Sequence, residues 1–124
     1  MKRQLLSHQS PTSHLFPATS EPSNLAHIRD SIYCSVAVWS LCQAYRRLDD
    51  DRGKSHELGQ SVVACMRGIL TAWMKQAEKL ERWKQQHSLE LALHTVVGLH
   101  DGEEVLDCSQ YNHLQLDVVC LYLL

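Results

Sequence analysis

Two short polar islands hold most of the chemistry that this sequence offers. Gln115 and Asp117 stand in Leu114-Gln115-Leu116-Asp117-Val118-Val119, a run otherwise entirely apolar. A carboxylate in that company must be paired, capped or open to a cavity, because burying it alone is costly. The second island, Arg29-Asp30, directly precedes a long apolar stretch. As a helix start, its acid favours the positive end of the helix dipole and its arginine is solvated. As the mouth of a pocket, the guanidinium fork and the carboxylate would hydrogen-bond sugar hydroxyls. Asp117 admits the same two readings, an acid in a first helical turn or a group facing a cavity.

Other constellations carry less. Asp49-Asp50-Asp51-Arg52-Gly53 invites calcium, but an EF-hand needs glycine at position six and glutamate at twelve. Counting from Asp49 puts Gly53 at five and Gln60 at twelve, so a solvated turn is expected. Among eight histidines, His94 and His100 are expected on one strand face, with His100 opposite Glu103. No third nitrogen or thiolate follows at a fixed spacing, so neither a metal nor a cofactor is expected. Trp39 and Trp73 fall on helical core faces and are expected to fill the interior; Trp83 follows at the same spacing. The basic segment around Lys79 and Lys84 also carries Glu78 and Glu81, which suits a solvated helix end better than a calmodulin target. No Ser-His-Asp arrangement, phosphate-cradling glycine loop or dinucleotide fingerprint appears, so no catalytic residue is assigned.

The elements that must position these residues are mainly helical. Between Ser31 and Tyr45 the polar side chains are Ser31, Ser35, Ser40 and Gln43. A helix that is apolar or small nearly all round must be covered nearly all round. A chain of 124 residues cannot easily supply that cover, which suggests a piece of something larger. Asp30 or Ser31 is expected to cap this helix, which runs to about Arg47 with Ile32, Val36, Trp39 and Gln43 on one face. A second helix is expected from Ser55 to Gln86, with Val62, Met66, Ile69, Trp73, Ala77, Leu80 and Trp83 recurring at helical spacing. Asp101-Gly102 predicts a small β-hairpin with Val97, Leu99 and Leu106 on one face. A third helix starts around Leu114, its apolar face opening with Leu114, Val118 and Leu121, and reads as interrupted at Leu124. Residues 1–27 hold all three prolines and form an irregular arm; residues 28–124 form a partial helical domain.

Composition narrows the function classes. A net charge of −2 and a pI near 6.4 leave no electrostatic footprint for nucleic acid or an anionic membrane. The longest apolar run, Val118–Leu124, is far too short to span a bilayer, and the opening residues lack the continuous apolar core of a secretion signal. Five cysteines without a CxxC point to reduced, buried thiols and a cytoplasmic setting. The final residues, Leu121-Tyr122-Leu123-Leu124, are not a prenylation box.

Longer stretches carry a family signature. QSPTSHLFPA, RDSIYCSVAVWSLCQAYRRLDDDRGKSHELGQSVVACMRGIL and NHLQLDVVCLYLL resemble the N-terminal region of the phosphorylase b kinase regulatory subunits, over roughly residues 9 to 124. The D-D-D-x-G loop, the following H-E-L and C-M-R-G-I-L look like the β rather than the α pattern. That region is similar to the catalytic domain of glucoamylases, so the resemblance implies an all-α fold, part of an α/α toroid of six helical hairpins. Its missing helices would cover the apolar helix. In the glucoamylase pattern an Arg-Asp pair at the first inner helix and a later Q-x-D line the sugar pocket. Arg29, Asp30, Gln115 and Asp117 match those positions and are the candidate remnants of such a pocket. Glycoside hydrolysis needs two carboxyl groups across the scissile bond, and in that pattern both lie beyond Q-x-D. His14 stands where the family pattern usually has glycine before F-P.

The implied role is regulatory: a scaffold that restrains the catalytic γ subunit in a hetero-oligomer controlling glycogen breakdown. The implied partners are the α, γ and δ (calmodulin) subunits, with no nucleic acid. Membrane association would come only through C-terminal lipidation, in a region outside this chain. Two alternatives stand beside it: a fragment of a glucoamylase-like hydrolase, and a small helical module that dimerises through its uncovered faces.

Overall fold

A computed structural model describes residues 4, 6–19, 24–48, 52–104 and 115–124. The expected loop Asp49-Asp50-Asp51 and the expected face residues Leu106 and Leu114 lie outside the described residues. Strand β1 (Leu25–His27) leads into helices α1 (Ile28–Arg46), α2 (Lys54–Lys75) and α3 (Ala77–Gln86). A 3-10 turn (Leu89–Leu91), strand β2 (Val96–Gly98) and helix α4 (Leu116–Leu123) follow. The described residues are therefore mainly helical with one small sheet, as the sequence suggests.

The start of α1 corrects the expected cap. Asp30 lies inside the first turn, and the residue preceding the helix is His27, whose side chain makes no capping bond. β1 runs straight into the helix, and the Ile28 N–H donates to the Thr95 carbonyl at 2.9 Å. Sheet continuation thus satisfies an amide that a cap would otherwise serve.

The buried face of α1 is also rotated from the expected one. Ile28, Ser31, Ile32, Ser35, Val38 and Cys42 are buried, whereas Val36 and Trp39 are 55% and 41% exposed. Small side chains on the contact face let α1 and α2 approach closely. The Cys42 thiol donates to the Ser55 carbonyl at 3.1 Å, and Ser31 Oγ accepts from the Phe16 N–H at 3.2 Å. From α2, Leu58, Cys65, Ile69 and Ala72 complete the core, with Val62, Met66 and Trp73 partly buried against it. Tyr33, Val36 and Trp39 on α1, with Val63, Leu70 and Met74 on α2, form second apolar stripes that stay exposed.

One long second helix was expected, but the chain breaks at Gln76 (φ −92°, ψ 5°). Its buried amide clamps the His94 main chain: Nε2 donates to the carbonyl at 3.2 Å, and the His94 N–H donates to Oε1 at 2.8 Å. Beyond the break, Ala77 and Leu80 are exposed and α3 buries no residue. The charged helix end projects into solvent.

The irregular arm is packed. Leu15 and Phe16 are buried in the core with α1 and α2. Ser13 Oγ donates to the Leu99 carbonyl, Thr12 Oγ1 donates to that of His100 at 2.8 Å, and Gln9 Nε2 reaches the Ser61 carbonyl at 3.2 Å. The turn that allows this places His14 at φ 61°, in the left-handed region. Glycine is free of the Cβ clash that a left-handed backbone imposes there. His14→Gly is expected to stabilise the chain by about 0.5–1 kcal/mol, read as a higher thermal midpoint. An unchanged or lower midpoint would sink that account.

The sheet differs from the expected hairpin in its partner. β2 pairs antiparallel with β1, in the register Leu25–Gly98, Ala26–Val97 and His27–Val96. A tripeptide such as Leu25-Ala26-His27 has no readable strand period, so the sequence does not announce β1. The Asp-Gly turn is present: Gly102 has φ 68°, its N–H donates to the Gly98 carbonyl at 2.9 Å, and Val97 forms a bridge with Glu104. His100 falls in the turn and meets Ser10 Oγ at 3.3 Å, so it is neither on a strand face with His94 nor opposite Glu103. Helix α4 docks through the buried Val118 and through Tyr122, whose hydroxyl donates to the Met66 carbonyl at 3.2 Å.

Candidate functional site

The two polar islands meet where α1, the segment before β2 and α4 converge. Arg29 in the first turn of α1 donates through Nη2 to Asp117 Oδ2 at 2.6 Å. The Thr95 hydroxyl donates to Gln115 Oε1 at 3.4 Å, while the Thr95 carbonyl receives the first amide of α1. Helix α4 is therefore tied to the root of α1 twice. The Arg29 and Asp117 side chains are 39% and 54% exposed. Screening at that exposure limits the pair to about 1 kcal/mol or less. Arg29 Nε is buried without a hydrogen-bond partner, so the guanidinium retains an unused donor.

The other two candidates face elsewhere. Asp30 Oδ2 lies 3.3 Å from His27 Nδ1 and lines a cavity of about 370 Å³ with His8, Phe16, Pro17 and Cys34. Gln115 lines a separate, strongly apolar cavity of about 420 Å³ with Trp73, Met74, Leu80, Trp83 and Ala92. Trp73 thus belongs both to the edge of the core and to a cavity wall, edge-to-face with Tyr122 at 5.0 Å. The structure brings Arg29 and Asp117 into contact and turns Asp30 and Gln115 toward different hollows. The two motif carboxylates meet different partners, Asp117 the Arg29 guanidinium and Asp30 the His27 imidazole, an arrangement suited to orienting hydrogen bonds.

A polar cluster that sequence reasoning missed lies nearby. Buried His94 places Nδ1 at 3.1 Å from Glu104 Oε1, which also accepts from Lys79 Nζ at 2.7 Å. Burial holds the His94 pKa below its ordinary 6.5, and Lys79 adds to the effect while Glu104 opposes it. The only sequence signal is a histidine amid apolar residues, and its partners come from α3 and from beyond the turn. The unfolded chain takes up this proton first as pH falls. Stability from His94 is therefore complete above about pH 6.5 and is lost as pH falls through the lower folded value. Melting across this range is expected to show a falling midpoint whose slope lessens in His94→Gln; equal slopes would refute the assignment.

The thiols match the expected burial in part. Cys34, Cys42, Cys65 and Cys120 are free, with Cys42 and Cys65 buried and Cys120 exposed. Burial pushes the Cys65 thiol up to about 11, with the neighbouring Ser35 hydroxyl pulling the other way and Cys34 adding a further rise. Among the described residues no three metal-ligating side chains gather, and no helix is long and apolar enough to cross a membrane.

Comparison with known proteins adds a family to this geometry. Residues 1–124 match the family described as Glycosyl hydrolases family 15. The chain is 58% identical over 124 residues to a probable phosphorylase b kinase regulatory subunit beta of Drosophila melanogaster, covering all of this chain and 11% of that protein. It is 45% identical over 125 residues to the probable alpha subunit of the same organism, covering 98% of this chain and 10% of that protein. To the skeletal muscle alpha isoform of Oryctolagus cuniculus it is 38% identical over 127 residues, covering all of this chain and 10% of that protein. The chain thus spans about a tenth of the length of these relatives.

Proposed function

We propose that this chain, which belongs to glycosyl hydrolases family 15, is the N-terminal part of a phosphorylase b kinase regulatory subunit of the β type. The observation that carries the reading is the 58% identity along the entire chain to a protein named as that subunit. Its role is structural and regulatory, holding and restraining the catalytic γ subunit, with α and calmodulin as the remaining partners. Residues 1–27 are its arm, and residues 28–124 contribute to a toroid of helical hairpins. The exposed stripes Tyr33-Val36-Trp39 and Val63-Leu70-Met74 support that architecture, because neighbouring hairpins of a ring would cover them. Arg29, Asp30, Gln115 and Asp117 are the remnants of a sugar pocket, and the Arg29–Asp117 pair gives it a polar wall.

The test is co-expression of the full-length subunit containing this segment with α, γ and calmodulin. The expected result is one assembly that phosphorylates phosphorylase b, while the purified subunit leaves maltose intact. Maltose hydrolysis by the subunit alone, or its failure to join the assembly, would overturn the reading.

A further inference from the structure

The geometry points to a binding site for a small phosphate monoester in the cleft between the arm, α2 and the Asp101-Gly102 turn. This cleft has a volume of about 300 Å³ and lies apart from the Arg29–Asp117 junction. Arg67 enters it from α2, His14 and Thr12 from the arm, Thr71 from the next turn of α2, and His100 and Asp101 from the turn. The Arg67 guanidinium has no hydrogen-bond or ion-pair partner among the described residues, so its planar fork is available to phosphate oxygens. His100 uses Nδ1 toward Ser10 Oγ, which leaves Nε2 for a ligand.

The walls are fixed before any ligand arrives. Thr12 Oγ1 and Ser13 Oγ tie the arm to the carbonyls of His100 and Leu99. The Ser13 carbonyl lies so near Gly68 that a Cβ there would sit 2.0 Å from it. His14 reaches the cleft from a left-handed backbone conformation (φ 61°), and strain of this kind is found where surrounding structure imposes a conformation. One carboxylate, Asp101, shares the lining, with Oδ1 accepting from the Glu103 N–H at 3.0 Å. A lining with one arginine and one carboxylate suits a single phosphoryl group on a hydroxyl-bearing body better than a polyphosphate. The site does not depend on the subunit assignment.

The test is titration of the full-length subunit with inorganic phosphate at constant ionic strength, followed by calorimetry. Arg67→Gln is expected to weaken binding about tenfold, with Arg67→Lys between the two. Arg46→Gln, in the neighbouring groove, is expected to leave binding unchanged. Competition by glycerol phosphate would assign the site to a free metabolite; competition by a phosphoserine peptide alone would assign it to a protein-borne monoester. Wild-type protein that binds no phosphate at millimolar concentration overturns the proposal. So does Arg67→Gln binding like wild type, or Arg46→Gln losing as much as Arg67→Gln.

Discussion

Gly68→Ala is expected to destabilise the chain by about 3 kcal/mol, the upper range for an overpacked contact. The new methyl would lie 2.0 Å from the Ser13 carbonyl oxygen and 3.5 Å from the Leu15 side chain. The clash is with main chain, which cannot rotate away as a flexible side chain would. Relief requires the arm to lift, which would strain the Thr12 and Ser13 bonds to the turn and withdraw Leu15 from the core. Gly59→Ala is the matched control. There the added methyl meets Cys42 Sγ at an ordinary 3.7 Å, so the gain in helix propensity of about 1 kcal/mol should prevail. Denaturant midpoints and protease cleavage between Thr12 and Phe16 would separate the two. Equal midpoints for the two variants would show that the arm does not rest on α2.

Gln76→Ala is expected to cost about 2–4 kcal/mol, because it orphans both main-chain groups of His94 in a buried position. Removing a side chain with two buried partners is worse than removing one that pairs with solvent. Gln76→Glu should recover part of the loss, since a carboxylate still accepts from the His94 N–H while facing its carbonyl unfavourably. Thermal unfolding of the two variants checks this, and the idea fails if alanine melts with the wild type. His94 carries the low pKa, so Gln76→Ala should also move the acid limb of the stability profile.

These two positions show how far the sequence could be read. The existence of α1 and α2, and the approximate extent of α1, were legible because long apolar stretches at helical spacing have few other structures available. The orientation of α1 was not. When apolar residues line nearly every side, periodicity cannot choose a face, and the close approach of α2 selected Ser31 and Ser35 over Val36 and Trp39. Glutamine is a good helix former, so nothing local marks Gln76 as a break; its cause lies at His94. The arm was legible as irregular from its prolines, but the burial of Leu15 and Phe16 depends on a close approach that only Gly68 permits. At the site, Arg29 and Asp117 were legible as motif positions. Their 2.6 Å contact, and the separate cavities reached by Asp30 and Gln115, depend on helix rotation and on the docking of α4.

The pairing of β1 with β2 has a consequence for the order in which the chain folds. Leu25 and Gly98 stand on opposite sides of three helices in sequence, yet they are neighbours in one ladder. Closing so long a loop loses chain entropy before any contact rewards it, whereas α1 and α2 meet across a short connection. The α1–α2 hairpin is thus the early, local event. The strand clasp is the late step that brings Thr95 to the root of α1.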